Sequence, residues 1–134
     1  MVGRLDNYLS FNEASLSLRA QRQQLLASNI ANADTPNYQA RDIEFSSALK
    51  NALSNSGGSA AGLVKTDVAH LSGKTNGLGS APLLYRTVQQ CSIDGNTVDM
   101  DVERNQFADN AIRYEAGLTM ISAQIKKMLS VIQG

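Results

Sequence analysis

Residues 107–132, FADNAIRYEAGLTMISAQIKKMLSVI, decide the fold. Along them Phe107, Ala111, Tyr114, Leu118, Ile121, Ile125, Met128 and Ile132 step by 4, 3, 4, 3, 4, 3 and 4. That alternation puts all eight side chains on one stripe of an α-helix and sustains it for more than three heptads. Met100 lies one heptad before Phe107, with Arg104 interrupting the register between them. Asp99, Asp101 and Glu103 place acid at the helix start, and Lys126 and Lys127 place base near its end. Both biases complement the helix dipole. The helix is about 50 Å long at about 1.5 Å per residue. Such a seam needs a partner in water. Periodicity leaves two partners open: a coiled coil of terminal helices, within or between subunits, and an ordinary helical bundle.

The other end of the chain reads as a second long helix, from Arg4 to Ala33. Leu5, Leu9, Leu16, Leu26 and Ile30 fall on the same stepping register, with Asn12, Arg19 and Gln23 between them. A second stripe holds Tyr8, Phe11, Leu18 and Leu25. Neither stripe is continuous, so this helix is expected to touch more than one neighbour, each along a narrow contact. Pro36 ends it, because a proline disfavours helix at the preceding Thr35. Pro36 suits the second position of a type II turn, which places Asn37 in the left-handed region that Asn tolerates.

Between the helices the pattern is weaker. Residues 42–53 suggest a short helix, with Ile43, Phe45, Leu49 and Leu53 roughly on one side. Residues 54–59, Ser-Asn-Ser-Gly-Gly-Ser, read as a flexible linker. Apolar runs over 62–71 and 82–88 are candidate strands, separated by a loop over 72–77. Asp94-Gly95 is a turn signal. The chain thus divides into an N-terminal helix and turn over 1–36, a variable middle over 37–97 and a heptad helix over 98–134.

Composition narrows the function. Twelve basic and twelve acidic residues cancel to a net charge of zero, which argues against a nucleic-acid partner. No run of apolar residues is long enough to insert in a bilayer. Asp6, Asn7, Asn12 and Glu13 interrupt any secretory h-region near the N-terminus. His70 is the only histidine and Cys91 the only cysteine, so no intramolecular disulfide and no paired metal-ligand spacing exists. The Gly57-Gly58 loop lacks the Lys-Ser/Thr of a phosphate-binding loop. Asp99 and Asp101 read as helix-start acids rather than as a catalytic pair. No catalytic, cofactor or metal residues are expected, and the chain reads as a non-enzyme.

The run Ala27-Ser28-Asn29-Ile30-Ala31-Asn32-Ala33-Asp34-Thr35-Pro36-Asn37-Tyr38 resembles the signature of the flagellar rod and hook family. That signature is an N-terminal helix ending in Asn-Ile-Ala-Asn, followed by Thr-Pro-Gly-Tyr. Asn37 stands where the family usually has Gly. Within the family, residues 39–45, Leu84-Tyr85-Arg86, residues 92–101 and residues 107–110 resemble the FlgB-type proximal-rod subgroup. The resemblance implies a mainly α fold whose terminal helices pair as a coiled coil, with a small, partly ordered loop and strand insert. It implies a structural rod subunit in the flagellar basal body, exported by the flagellar type III apparatus and transmitting torque. Implied partners are other rod subunits and further copies of itself, with a FliE-type adaptor, the membrane ring and the export gate at the rod base. Early export substrates of this kind carry a gate-recognition pattern of Phe followed four residues later by an apolar residue. Phe45 and Leu49 fit it, and a short amphipathic helix packed on a neighbour fits it equally. Two further readings are another flagellar axial subunit and a cytosolic helical adaptor or export chaperone.

Overall fold

The computed structural model describes residues 2–55, 81–87 and 93–134, and within these the side chains of residues 9–54, 81–87 and 93–134. The chain is mainly helical. It runs α1 (Val2–Ala31), β1 (Arg41–Asp42), α2 (Phe45–Asn55), β2 (Leu84–Tyr85) and α3 (Met100–Gln133).

The two long helices lie antiparallel. Asn12, early in α1, donates to Gln124 late in α3 at 3.2 Å. Asn29, at the far end of α1, donates to Glu103 at the start of α3, also at 3.2 Å. The α3 start is set by Asp99, whose extended backbone (φ −104°, ψ 111°) frees its carboxylate to accept from the Asp101 and Val102 amides. This is an N-cap, which satisfies two of the amides that a helix start leaves unpaired.

The shorter helix α2 packs on another face of α1. Leu18, Ile43, Ala48 and Ala81 form the buried cluster, flanked by Leu25, Phe45, Leu49 and Ala52. Leu18 and Leu25 belong to the second stripe of α1, so that stripe serves α2 while the first serves α3. Phe11 of the same stripe is exposed. Tyr8 and Leu5 lie outside the residues whose side chains are described.

Helix α2 starts later than the expected residue 42. Asp42 is taken by β1, and Glu44 caps the helix instead, accepting from the Ser47 amide at 2.6 Å and the Ser46 hydroxyl at 2.5 Å. These bonds hold the exposed Glu44 carboxyl down to about 2. The cap is therefore charged at any ordinary pH. Helix α2 also runs through Ser54 and Asn55, the first two residues of the expected linker.

The strands are minimal. Arg41 pairs with Tyr85 and Asp42 with Leu84, antiparallel. The Arg86 amide extends the ladder to the Ala40 carbonyl at 3.0 Å. The expected strand over 82–88 is thus two residues long. The expected strand over 62–71, the loop over 72–77, the linker beyond Asn55, His70 and Cys91 lie outside the described residues.

Leu18 is 2% exposed and joins α1 to α2. Leu18→Ala is expected to destabilise the chain by about 2–5 kcal/mol, the usual range for a truncated buried leucine. Urea denaturation followed by circular dichroism measures this. A loss well under 1 kcal/mol contradicts the packing of α2 on α1.

Candidate functional site

Three features converge on the α1–α3 pair. The first is the turn that ends α1. Tyr38 donates its amide to the Thr35 carbonyl at 3.3 Å, which places Pro36 and Asn37 at the turn's two central positions. Asn37 has φ 59°, the left-handed region. Asn32 donates its side-chain amide back to the Ser28 carbonyl at 2.8 Å and accepts from the Thr35 hydroxyl at 3.1 Å.

A second loop grips this turn from outside. The buried Asn96 aims its amide nitrogen at the carbonyls of Asn32, Ala33 and Thr35, at 3.0, 2.7 and 2.9 Å. A side chain far away in sequence thereby caps the end of α1. Asn37 donates its amide to the Asp94 carbonyl at 2.9 Å, and Thr97 donates its amide to the Tyr38 carbonyl at 3.0 Å. Gly95 has φ 74°, and a Cβ there would lie 2.6 Å from Asn37 Oδ1. The two left-handed residues face each other, and the close approach needs glycine on one side.

The second feature is a partly buried ionic cluster. Arg22 on α1 donates from Nε and Nη2 to the two oxygens of Asp42, each at 2.9 Å. Arg86, one residue past β2, donates to Asp42 and to Gln106 at 2.8 Å each, and also to Glu103. The Glu103 side chain is fully buried. Its second oxygen accepts from Asn29. Asn29 also donates to the Arg41 carbonyl at 2.8 Å and accepts from the Arg41 amide at 3.1 Å and the Tyr38 hydroxyl at 3.3 Å. All the hydrogen-bonding capacity of a side-chain amide is in use. One cluster thus ties α1, β1, the end of β2 and α3 together. Its members come from α1 (Arg22 and Asn29), from β1 (Asp42), from just past β2 (Arg86) and from α3 (Glu103 and Gln106).

The third feature is the α1–α3 interface. Glu103, Asn110, Gly117 and Gln124 lie seven residues apart on the inner edge of α3. Glu103 meets Asn29 and Gln124 meets Asn12, as above. Asn110 is fully buried and donates to the Arg19 carbonyl at 2.9 Å and to Gln23 Oε1 at 2.6 Å. Its own Oδ1 has no partner among the described residues. Gly117 lets Leu16 approach, since a Cβ there would lie 3.0 Å from Leu16 Cδ2. The polar interruptions Asn12 and Gln23 in the α1 stripe are therefore matched by polar residues of α3, and Arg19 is met there through its carbonyl.

The eight residues of the heptad seam fall in two environments. Phe107, Tyr114, Ile121 and Met128 are half-buried along the pair. Leu118, Ile125 and Ile132 lie on the outer side and are exposed, with Ala111 half-buried. Ile132 is 81% exposed. The eight residues share a stripe, yet α1 covers only its inner half. On α1, Leu26 is fully buried, whereas Leu9, Leu16 and Ile30 are half-buried. Phe45 and Leu49 are half-buried against α1, and the Arg19 guanidinium lies 4.5 Å above the Phe45 ring.

Sequence reasoning missed Arg22, Glu103 and Asn110. The position of Glu103 at the helix start suits a dipole acid, but burial and Arg86 make it an anchor. The seven-residue spacing of Glu103, Asn110, Gly117 and Gln124, set beside Asn12 and Gln23, is the signal that points to Glu103 and Asn110. Among the described residues, no group of three or more His, Cys, Asp or Glu side chains gathers as a metal site. No described helix is long and apolar enough to cross a membrane.

Residues 12–39 match the family described as Flagella basal body rod protein. The whole chain is similar to curated relatives. It is 51% identical to the flagellar basal body rod protein FlgB of Salmonella typhimurium, with 100% of this chain and 99% of that protein aligned. It is 49% identical to the protein of the same name from Escherichia coli strain K12, over 99% of this chain and 98% of that one. Against the protein of that name from Buchnera aphidicola the identity is 37%, with both chains fully covered.

Two outcomes check the ionic cluster. Arg86→Met leaves the buried Glu103 without its cation and is expected to cost about 3–5 kcal/mol. A cost below about 1 kcal/mol in urea denaturation contradicts the anchor. The second outcome is acid lability. Burial pushes the Asp42 carboxyl up, but hydrogen bonds from Arg22, the Ile43 amide and Arg86 outweigh it and hold the group below its ordinary 3.8. A lowered carboxyl stabilises the fold above the ordinary value and loses that contribution as pH falls through the folded one. Thermal stability is expected to be flat from neutral pH to about 5 and to fall below it, with a smaller fall in Asp42→Asn. An equal fall in both chains contradicts the assignment.

Proposed function

The chain belongs to the FlgB family of flagellar basal body rod proteins, and from that membership we propose that it is a proximal-rod subunit exported by the flagellar type III apparatus. It is a structural, non-enzymatic component of the flagellar basal body. Its terminal helices assemble with those of neighbouring subunits, both copies of itself and other rod proteins, and the resulting rod transmits torque for motility. At the rod base its neighbours are a FliE-type adaptor, the membrane ring and the export gate.

One observation carries the assembly reading: the outer line of α3, Leu118, Ile125 and Ile132, is apolar and exposed in the single chain. Burying one such side chain contributes about 1.5–3 kcal/mol, so a line of them favours a further helix against this face. The α1–α3 pair supplies the folded unit, and the outer line supplies the contact to the next one. The clamped turn and the ionic cluster fix the angle at which the pair leaves the strands.

Phe45 and Leu49 have a second use in this reading. In the folded chain they pack against α1 under Arg19. In a chain exported before folding they are free to meet the gate.

Ile125→Asp places a charge on the outer line without disturbing the buried cluster. The variant is expected to keep its helical circular dichroism signal and thermal midpoint, yet to be absent from purified basal bodies of non-motile cells. Normal incorporation and swimming contradict the assembly role of this line. For Phe45→Ala, secretion into the medium or periplasm is expected to fall while the cytoplasmic level stays normal. Unchanged secretion rejects the gate role, and a reduced cytoplasmic level assigns Phe45 to packing alone.

A further inference from the structure

A groove runs along the α1–α3 pair on the face opposite α2. Leu9 lies nine residues from Leu18, two and a half turns, which puts it on the other side of α1. Two adjoining depressions of about 380 and about 490 Å³ share Ala20 and Tyr114 and so form one channel. Small side chains, Ser17, Ala20 and Ala111, leave it deep enough for a helix ridge. Its two acidic residues, Glu13 on α1 and Glu115 on α3, are both exposed.

Farther along α3 stands the complementary shape. Ile125, Leu129 and Ile132 form an exposed apolar ridge. Exposed Lys126 and Lys127 lie beside it. Ridge and groove thus match in three respects. Large side chains meet small ones, apolar surface meets apolar surface, and base meets acid.

We propose that the ridge over 125–132 of one copy seats in this groove of a second copy, with Lys126 and Lys127 against Glu13 and Glu115. This contact rests on the rod-subunit reading above and specifies how one copy meets the next. Each copy carries both a groove and a ridge, so every copy offers both halves of the contact. Apolar burial supplies the affinity, and the charges fix register and direction.

The test uses the full chain with Cys91→Ser, so that added cysteines are the only thiols. One variant carries Glu115→Cys and the other Lys126→Cys, both at exposed positions. Within one chain these positions are about 16 Å apart along the helix axis. A disulfide reaches about 7 Å between Cα atoms at most, so any cross-link joins two chains. The variants are mixed, oxidised and separated on a non-reducing gel, with peptide mapping of the linked species. The mixed 115–126 product is expected to exceed either same-site product about tenfold, as a docked pair raises the local thiol concentration. Glu13→Lys on the first variant should lower that yield, and Lys127→Glu on the second should restore it. Same-site products at comparable yield, no linked species, or indifference to the charge changes each overturn the proposal. Such a result with the wild-type chain still present in purified basal bodies overturns this contact alone. Absence of the chain from basal bodies overturns the rod reading instead.

Discussion

The fold depends on a line of polar or small residues, Glu103, Asn110, Gly117 and Gln124, along the inner edge of α3. Each meets a specific counterpart on α1: Asn29, the Arg19 carbonyl with Gln23, Leu16 and Asn12. Apolar side chains tolerate a slipped register, because one leucine packs against another nearly as well. Buried polar groups do not, since a slip leaves them unpaired in a dry interface. Three such polar contacts and the close Gly117–Leu16 approach, spaced over three heptads, therefore select one alignment of two long helices. Asn110 shows the cost, with its buried Oδ1 lacking a hydrogen-bond partner among the described residues.

The rest of the architecture follows from that alignment. Glu103 needs a cation in the interior, and Arg86 supplies it from the end of β2. Asp42 binds the same arginine together with Arg22. The strand pair is only two residues long on each side, so these ion pairs, more than the ladder, hold it to the helices. The turn after α1 is fastened separately, by Asn96 on its carbonyls and by the Asn37–Gly95 contact. With the inner edge of α3 committed to polar contacts, its apolar line is left to face outward. An exposed apolar stripe of this kind marks a surface on which another helix can dock.

Much of this was legible in the residues. The steps from Phe107 to Ile132 mark a long helix, and Thr35-Pro36-Asn37 marks where α1 stops and why Asn37 is left-handed. The second stripe through Leu18 and Leu25 anticipates another neighbour, which is α2. The phase of α3 was not legible. Hydrophobic periodicity identifies the apolar stripe and is silent on which partner covers it. Here the partner within the chain takes the flank next to the apolar centre. Glu103 was hidden for a related reason: an acid in the first turn of a helix has a sufficient surface explanation, and only the tertiary contact with Arg86 makes it a buried anchor. The Asn96 clamp joins segments more than sixty residues apart, and neither segment contains a periodic signal of the other.

The most direct test of this account is a nuclear Overhauser spectrum of the monomeric chain with labelled leucine methyls. The polar alignment predicts a strong cross-peak between a Leu16 methyl and the α-protons of Gly117, and none from Leu16 to Ile125 or Ile132. Cross-peaks from Leu16 to that outer line would mean that the apolar stripe itself closes the pair, and the central claim would be wrong.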